Sequence, residues 1–200
     1  MPPRRAALLL PLALLACARR DPEIALPGRP IGFDHLLPLR LNLAELVLAE
    51  TDPPAAPGDL GGLLALPPAA AIRQMARDRL FAVGTIGQAR FTVTEALLRR
   101  DVAGVSCALA CRLEILDAAG GGLGFVEASA RAGMTLPSSP APATLQRAGE
   151  AVLRQALGRL NVEFEFQIRR NLRDWLVDGS LAPAPGDAPG EVVREALPPA

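Results

Sequence analysis

Hydrophobic and polar positions alternate most clearly between residues 88 and 136, and three strands follow from that alternation. Ala89, Phe91, Val93 and Leu97 are interleaved with Gln88, Arg90, Thr92 and Thr94. Val105, Cys107, Leu109, Cys111, Leu113 and Ile115 then share one side, with Ser106, Ala108, Ala110, Arg112 and Glu114 on the other. Val126, Ala128, Ala130, Ala132, Met134 and Leu136 repeat the pattern against Glu127, Ser129, Arg131 and Thr135. A period of two places alternate side chains on opposite faces of a strand. The three runs predict an antiparallel meander with one apolar face and one small, polar face, joined by loops at Arg99–Gly104 and Asp117–Gly122.

An earlier strand is expected over Leu39–Glu50, where Leu39, Leu41 and Leu43 alternate and the phase then slips at Ala44. Such a slip predicts a bulge or an exchange of buried face. Thr51–Pro67 is rich in Pro and Gly and predicts a loop, with Leu60 and Leu63–Leu66 laid on the core. A first helix is expected from Pro68 to Val83, with Ile72, Met75, Ala76, Leu80 and Val83 inward, Arg73, Arg77 and Asp78 elsewhere, and Gly84 as its stop. A last helix starts near an N-cap at Ser139 or Thr144 and buries Leu145, Ala148, Val152, Ala156, Leu160, Phe164, Ile168, Leu172 and Trp175. Within it Val162, Phe164, Phe166 and Ile168 also alternate as a strand would. The i,i+4 pairs Glu150–Arg154 and Glu165–Arg169, and the lack of a turn, favour helix there.

The order β-α-β-β-β-α predicts an α+β fold: an antiparallel sheet of about four strands with two helices on one face. The chain has 200 residues, is half hydrophobic and carries a formal net charge of zero, which gives no electrostatic footprint for nucleic acid. Every basic residue is Arg. With Lys and Tyr absent and His35 alone, few general acids or bases and no amine nucleophile are available.

The amino terminus carries a different pattern. Arg4 and Arg5 precede an apolar run, Ala6–Ala16, that ends directly on Cys17. Eleven residues fall short of the roughly 20 that span a bilayer as a helix. A basic start, a short apolar core and small residues at its end make a cleaved export signal. Leu14-Leu15-Ala16-Cys17 resembles the end of a bacterial lipoprotein signal, and that resemblance implies cleavage before Cys17 and lipidation of its thiol. Cleavage after Ala18 also satisfies the small-x-small rule and yields a soluble periplasmic protein. Two acyl chains anchor stably where one does not. In enteric lipoproteins an Asp at position 18 would signal inner-membrane retention, so Ala18 implies the outer membrane.

The expected division is therefore a signal peptide at 1–16, a lipidated tether at 17–38, one α+β domain at 39–178 and a disordered tail at 179–200. The tether would reach at most about 70–80 Å. An anchor, a tether and this order of elements resemble small Gram-negative envelope lipoproteins, including the lipopolysaccharide-assembly outer-membrane lipoprotein and the auxiliary lipoproteins of lipid-transporting ABC systems. The resemblance implies a non-enzymatic binding or assembly accessory facing the periplasm, without cofactor, whose partners are the membrane and an envelope protein or lipid.

Candidate chemistry is sparse. Cys107 and Cys111 lie about 13 Å apart along one strand, beyond the about 7 Å between Cα atoms that a disulfide allows. Their apolar register makes them core thiols, and nothing brings His35 to them as a metal site. A thiol-dependent enzyme using either cysteine is the alternative function, and a purely structural lipoprotein a third. Gly120–Gly124 lies between strands, so it predicts a hairpin turn with positive φ rather than a phosphate loop. Asp34-His35 is a surface or capping pair. Ser106, Ala108, Ala110 and Ser129 form a candidate partner face. Arg169, Arg170 and Arg173 form a candidate contact for an anionic ligand, or else compensate the helix C-terminus and pair with Glu165 or Asp174.

Overall fold

In the computed structural model residues 23–177 are described, apart from 27 and 55. The predicted signal with Cys17 and the predicted tail at 179–200 lie outside the described residues. Six strands and two helices follow one another: β1 (Leu39–Leu41), β2 (Glu45–Leu48), α1 (Pro68–Arg79), β3 (Leu80–Ala82), β4 (Gln88–Asp101), β5 (Gly104–Leu116), β6 (Gly122–Thr135) and α2 (Pro142–Asn171). The fold is α+β, with a four-stranded sheet in the order β2-β4-β5-β6 and a two-stranded sheet β1-β3.

The meander folds as its alternation dictates. Val105, Cys107, Leu109, Cys111, Leu113 and Ile115 are all buried, as are Val126, Ala128 and Ala132 opposite them. α1 and α2 both pack on this apolar face, and their inward residues join it in one core. Phe91 and Phe164 meet edge to face across the layers, with ring centroids 5.6 Å apart. Four features depart from the periodic expectation.

The first strand is two strands. The phase slip at Ala44 marks a break over residues 42–44 at which the chain changes sheets: β1 pairs in parallel with β3, and β2 in parallel with β4. Parallel pairing requires a crossover, supplied here by the 51–67 loop and α1. The four-stranded sheet is therefore mixed rather than wholly antiparallel.

α1 ends at Arg79, four residues before the expected Val83. Leu80 passes straight into extended backbone (φ −100°, ψ 130°) and opens β3. Leu80 is buried, but Phe81 and Val83 are half exposed, because beyond Arg79 a period of two governs them. Gly84 is thus no helix stop. It follows β3, where its N–H bonds the Leu43 carbonyl at 2.9 Å and a Cβ would sit 2.5 Å from the Asn42 backbone.

Two of the helix's arginines face inward. Arg73, expected to point away, is buried and donates to the carbonyls of Ala49 and Glu50, each at 3.0 Å, while pairing with Asp52. Arg79 is 2% exposed and meets Glu165 of α2 at 2.5 Å.

β4 and β5 extend through the expected Arg99–Gly104 loop, leaving a two-residue turn at Val102-Ala103 between Asp101 and Gly104. A bulge between Val93 and Glu95 inverts the phase of β4, so Leu98 enters the core in place of Leu97. The β5–β6 hairpin turns as expected on Gly120 (φ 86°), with Asp117 Oδ1 accepting the N–H groups of Ala119 and Gly121 at 2.8 and 2.7 Å.

α2 is continuous through residues 162–168, which settles that ambiguity as helix. Its N-cap is Ala141, with Pro142 at the first helical position, rather than Ser139 or Thr144. Val162 and Phe166 fall outside the buried stripe and are 67% and 52% exposed. Leu60, Leu64 and Leu66 of the 51–67 loop rest on the core as expected, whereas Leu63 is exposed. The described part of the tether also lies against the domain. Ile24, Ile31 and Phe33 pack on the core, and Phe33 N–H donates to Asp78 Oδ2 at 2.8 Å. No helix among the described residues is long and apolar enough to cross a membrane.

Candidate functional site

Among the described residues no helix packs on the second face of the four-stranded sheet, and its composition follows from the polar phase of the meander. Three strands contribute rows across it. Arg99, Ser106 and Gly133 form one, Leu97, Ala108 and Arg131 the next, and Glu95, Ala110 and Ser129 a third. Below them Thr92, Arg112 and Glu127 align, then Arg90, Glu114 and Phe125. The four residues expected to form a partner face, Ser106, Ala108, Ala110 and Ser129, are all brought together here.

The small side chains leave a depression of about 390 Å³, bounded by Glu95, Leu97, Arg99, Ser106, Ala108 and Arg131. Beyond Glu95 and Leu97 a second cavity of about 500 Å³ opens, where Pro53, Pro54 and Pro67 overhang the β4 bulge. One end of the face is held by charge. Arg112 bonds Glu127 at 2.9 Å and Glu114 at 3.0 Å and lies 4.0 Å over the Phe125 ring. Those carboxylates raise the Arg112 pKa further above its ordinary value. At the other end the Ser106 hydroxyl donates to Asp101 at 2.5 Å.

Glu95, Leu97 and Arg99 belong to this face but do not appear in the sequence-based set. Read in the phase set by Phe91 and Val93, Leu97 points to the core, and Arg99 falls in an expected loop. The adjacent pair Leu97-Leu98 was the available signal, since only one of two neighbouring leucines can face inward on a strand.

The thiols lie on the opposite side of the same strand. Burial, with lesser contributions from Asp59 and Glu95, pushes Cys107 up to about 12, and burial alone pushes Cys111 to about 12. Neither offers a thiolate near neutral pH, which is the form that attacks carbon or binds metal. Among the described residues no three His, Cys, Asp or Glu side chains are grouped to hold a metal. His35 and Asp34 are a surface pair, 3.9 Å apart.

The arginine cluster is not on the open face, because α2 covers the other side of the sheet. Arg169 is engaged by Glu165 at 2.9 Å, and Arg170 lies 5.9 Å over the Phe166 ring. Arg170 and Arg173 make no ion pair among the described residues. Glu165 is held below the ordinary carboxylate range: burial opposes its charge, but hydrogen bonds from Arg79 and Arg169 outweigh that. Cys17 lies outside the described residues.

These features define a two-layer α+β domain with one face of its main sheet uncovered by any element among the described residues. No protein-family model matches the chain, and no curated protein matches it in sequence. Two solved structures resemble it in part. A candidate lipoprotein from Caulobacter crescentus CB15 is 16% identical, with a TM-score of 0.34 over 64% of this chain and 91% of its own. The lipoprotein GNA1162 from Neisseria meningitidis is 14% identical, with a TM-score of 0.29 over 57% of this chain and 99% of its own.

Proposed function

We propose that this chain is a lipid-anchored, periplasm-facing lipoprotein of the outer membrane, serving as a non-enzymatic binding or assembly accessory in envelope biogenesis or lipid transport. The observation that carries the binding role is the open sheet face. Side chains no larger than Ser at Ser106, Ala108, Ala110 and Ser129 let a partner protein approach the backbone closely, while Glu95, Arg99 and Arg131 at the margin orient it. Its location is supported by Arg4-Arg5, the apolar run and Cys17. The thiol-enzyme alternative is disfavoured by the burial and raised pKa of both core cysteines.

Deletion of the gene should weaken the envelope barrier, read as increased sensitivity to bile salts or to a large antibiotic. Ala108→Trp, which fills the depression without touching the core, should fail to restore the barrier while accumulating to normal levels in the membrane. Cys17→Ser should lose a metabolically incorporated palmitate analogue and fail likewise. Full restoration by Ala108→Trp would remove the role of the open face. An unlabelled wild type would move the protein to the soluble periplasm.

A further inference from the structure

We infer that the outer edge of β6, which pairs with no strand among the described residues, is a self-association site, on which the same edge of a second copy pairs antiparallel about a twofold axis at Ser129. The sheet has two edges of unequal kind. β2 is four residues long, whereas β6 runs for fourteen without a proline, and its one register irregularity lies at the Gly122 end. Long edges of this kind are normally shortened, bulged or covered, because their free N–H and C=O groups recruit another strand.

The register is fixed by hydrogen bonding and by charge. Arg159 donates to the Arg131 carbonyl at 2.6 Å, so that carbonyl points out of the sheet rather than toward β5. In an antiparallel ladder a residue's N–H and C=O face the same way and alternate along the strand. Glu127, Ser129, Arg131 and Gly133 therefore present both groups outward, and the Arg131 oxygen keeps a second lone pair for an incoming N–H. Pairing Ser129 with its own copy sets Glu127 opposite Arg131 of the second copy, and Arg131 opposite its Glu127. It also sets Phe125 opposite Gly133, where the ring has room to lie. Opposite charges and an aromatic laid on a glycine are the pairs that stabilise a strand register. Glu127 can serve both neighbours, since its bond to Arg112 at 2.9 Å uses one of its two oxygens.

α2 adds a second layer to the seam. Its far flank carries Glu165 toward Arg79 of α1, and its near flank carries Arg159 over the β6 edge. Two turns beyond Arg159, on that near flank, lies Phe166, half exposed. From Arg131 back to Gly124, which lies beside Leu172 and Trp175, the strand covers about 23 Å. Over the same span α2 advances about 20 Å from Arg159 to Leu172. Phe166 is thereby abreast of residue 128, next to the proposed axis. An eight-stranded sheet results, with a continuous open face twice the width of one copy's.

The test uses the full chain in its native membrane. Ser129→Cys treated with a short bis-maleimide should yield a species of twice the monomer mass, whereas the parent chain and Ser106→Cys, at the middle of the open face, should not. Glu127→Arg, which places like charges opposite each other twice, should cut the cross-linked fraction roughly tenfold. Adding Arg131→Glu to that variant should restore it. Absence of a cross-linked dimer with Ser129→Cys would overturn the proposal. So would a product of another mass, which would put a foreign strand on the edge. Failure of the charge exchange to restore a dimer lost in Glu127→Arg would overturn the register.

Discussion

The contact between Arg79 and Glu165 ties the two helices together, and removing the carboxylate should be costly. Arg79 is 2% exposed and, among the described residues, has Glu165 as its one acidic partner and leaves its Nε without a hydrogen bond. In Glu165→Ala the guanidinium stays buried and loses its counter-charge. Breaking a fully buried pair in this way costs about 3–5 kcal/mol. The Glu165 side chain is 32% exposed, so water partly replaces it and about 2–3 kcal/mol remains. The carboxylate is held below its ordinary pKa in the folded state, so its contribution is complete above the unfolded value. It is lost as pH falls through the folded value. Wild type should therefore lose more stability than Glu165→Gln between about pH 6 and pH 3. Urea unfolding of the Cys17→Ser chain, followed by circular dichroism, measures both effects. Arg79→Met combined with Glu165→Leu should recover much of the loss, because an apolar pair leaves no buried charge. A Glu165→Ala cost below about 0.5 kcal/mol, or a double variant whose cost equals the sum of its singles, would refute the reasoning.

Other perturbations probe the core and its turns. Phe91→Ala removes a ring stacked edge to face on Phe164 and should cost about 3–5 kcal/mol in the same urea assay; a loss under about 1 kcal/mol would mean that the layers do not meet there. Gly104→Ala should strongly destabilise the β4–β5 hairpin, since a Cβ would stand 1.9 Å from the Met134 carbonyl oxygen; an unchanged melting temperature would contradict that approach. Maleimide should react with Cys107 and Cys111 only after unfolding, given their burial and raised pKa. Rapid labelling of either in the native protein would reopen thiol chemistry.

Much of the domain was legible where one period ran undisturbed. The faces of β5 and β6 and the stripe of α2 follow from their alternation, and so does the collection of Ser106, Ala108, Ala110 and Ser129 on one surface. Legibility failed where a period changed inside an element. The Thr94 bulge reversed β4 and hid Glu95, Leu97 and Arg99, and the direct passage from α1 to β3 at Leu80 lacks any turn residue. Arg73 was misplaced, and Arg79 left unplaced, for another reason. Hydropathy treats arginine as solvent-seeking, whereas the carbonyls of Ala49 and Glu50 and the carboxylates of Asp52 and Glu165 are partners contributed by distant segments. Pairing of β1 and β2 with different sheets was equally invisible, since a phase slip reveals that a strand changes direction but not which neighbour it joins.

That divided pairing bears on the order in which the chain is secured. β4, β5 and β6 are joined by tight hairpins and can zip together locally, and α2 follows at once. Leu39–Leu48 pairs with distant segments alone: with Leu80–Ala82 and the first residues of β4, after α1 has closed a long loop, and with Trp175–Val177 beyond α2, where Asn42 N–H donates to the Trp175 carbonyl at 2.7 Å. The amino-terminal third is thus made first and fastened last. Destabilising substitutions at Leu41 or Leu46 are expected to speed unfolding while leaving the folding rate nearly unchanged. Until those strands dock, the edge of β4 from Gln88 to Phe91 has no strand beside it, which makes the late-closing edge the point at which a chaperone would have most to shield.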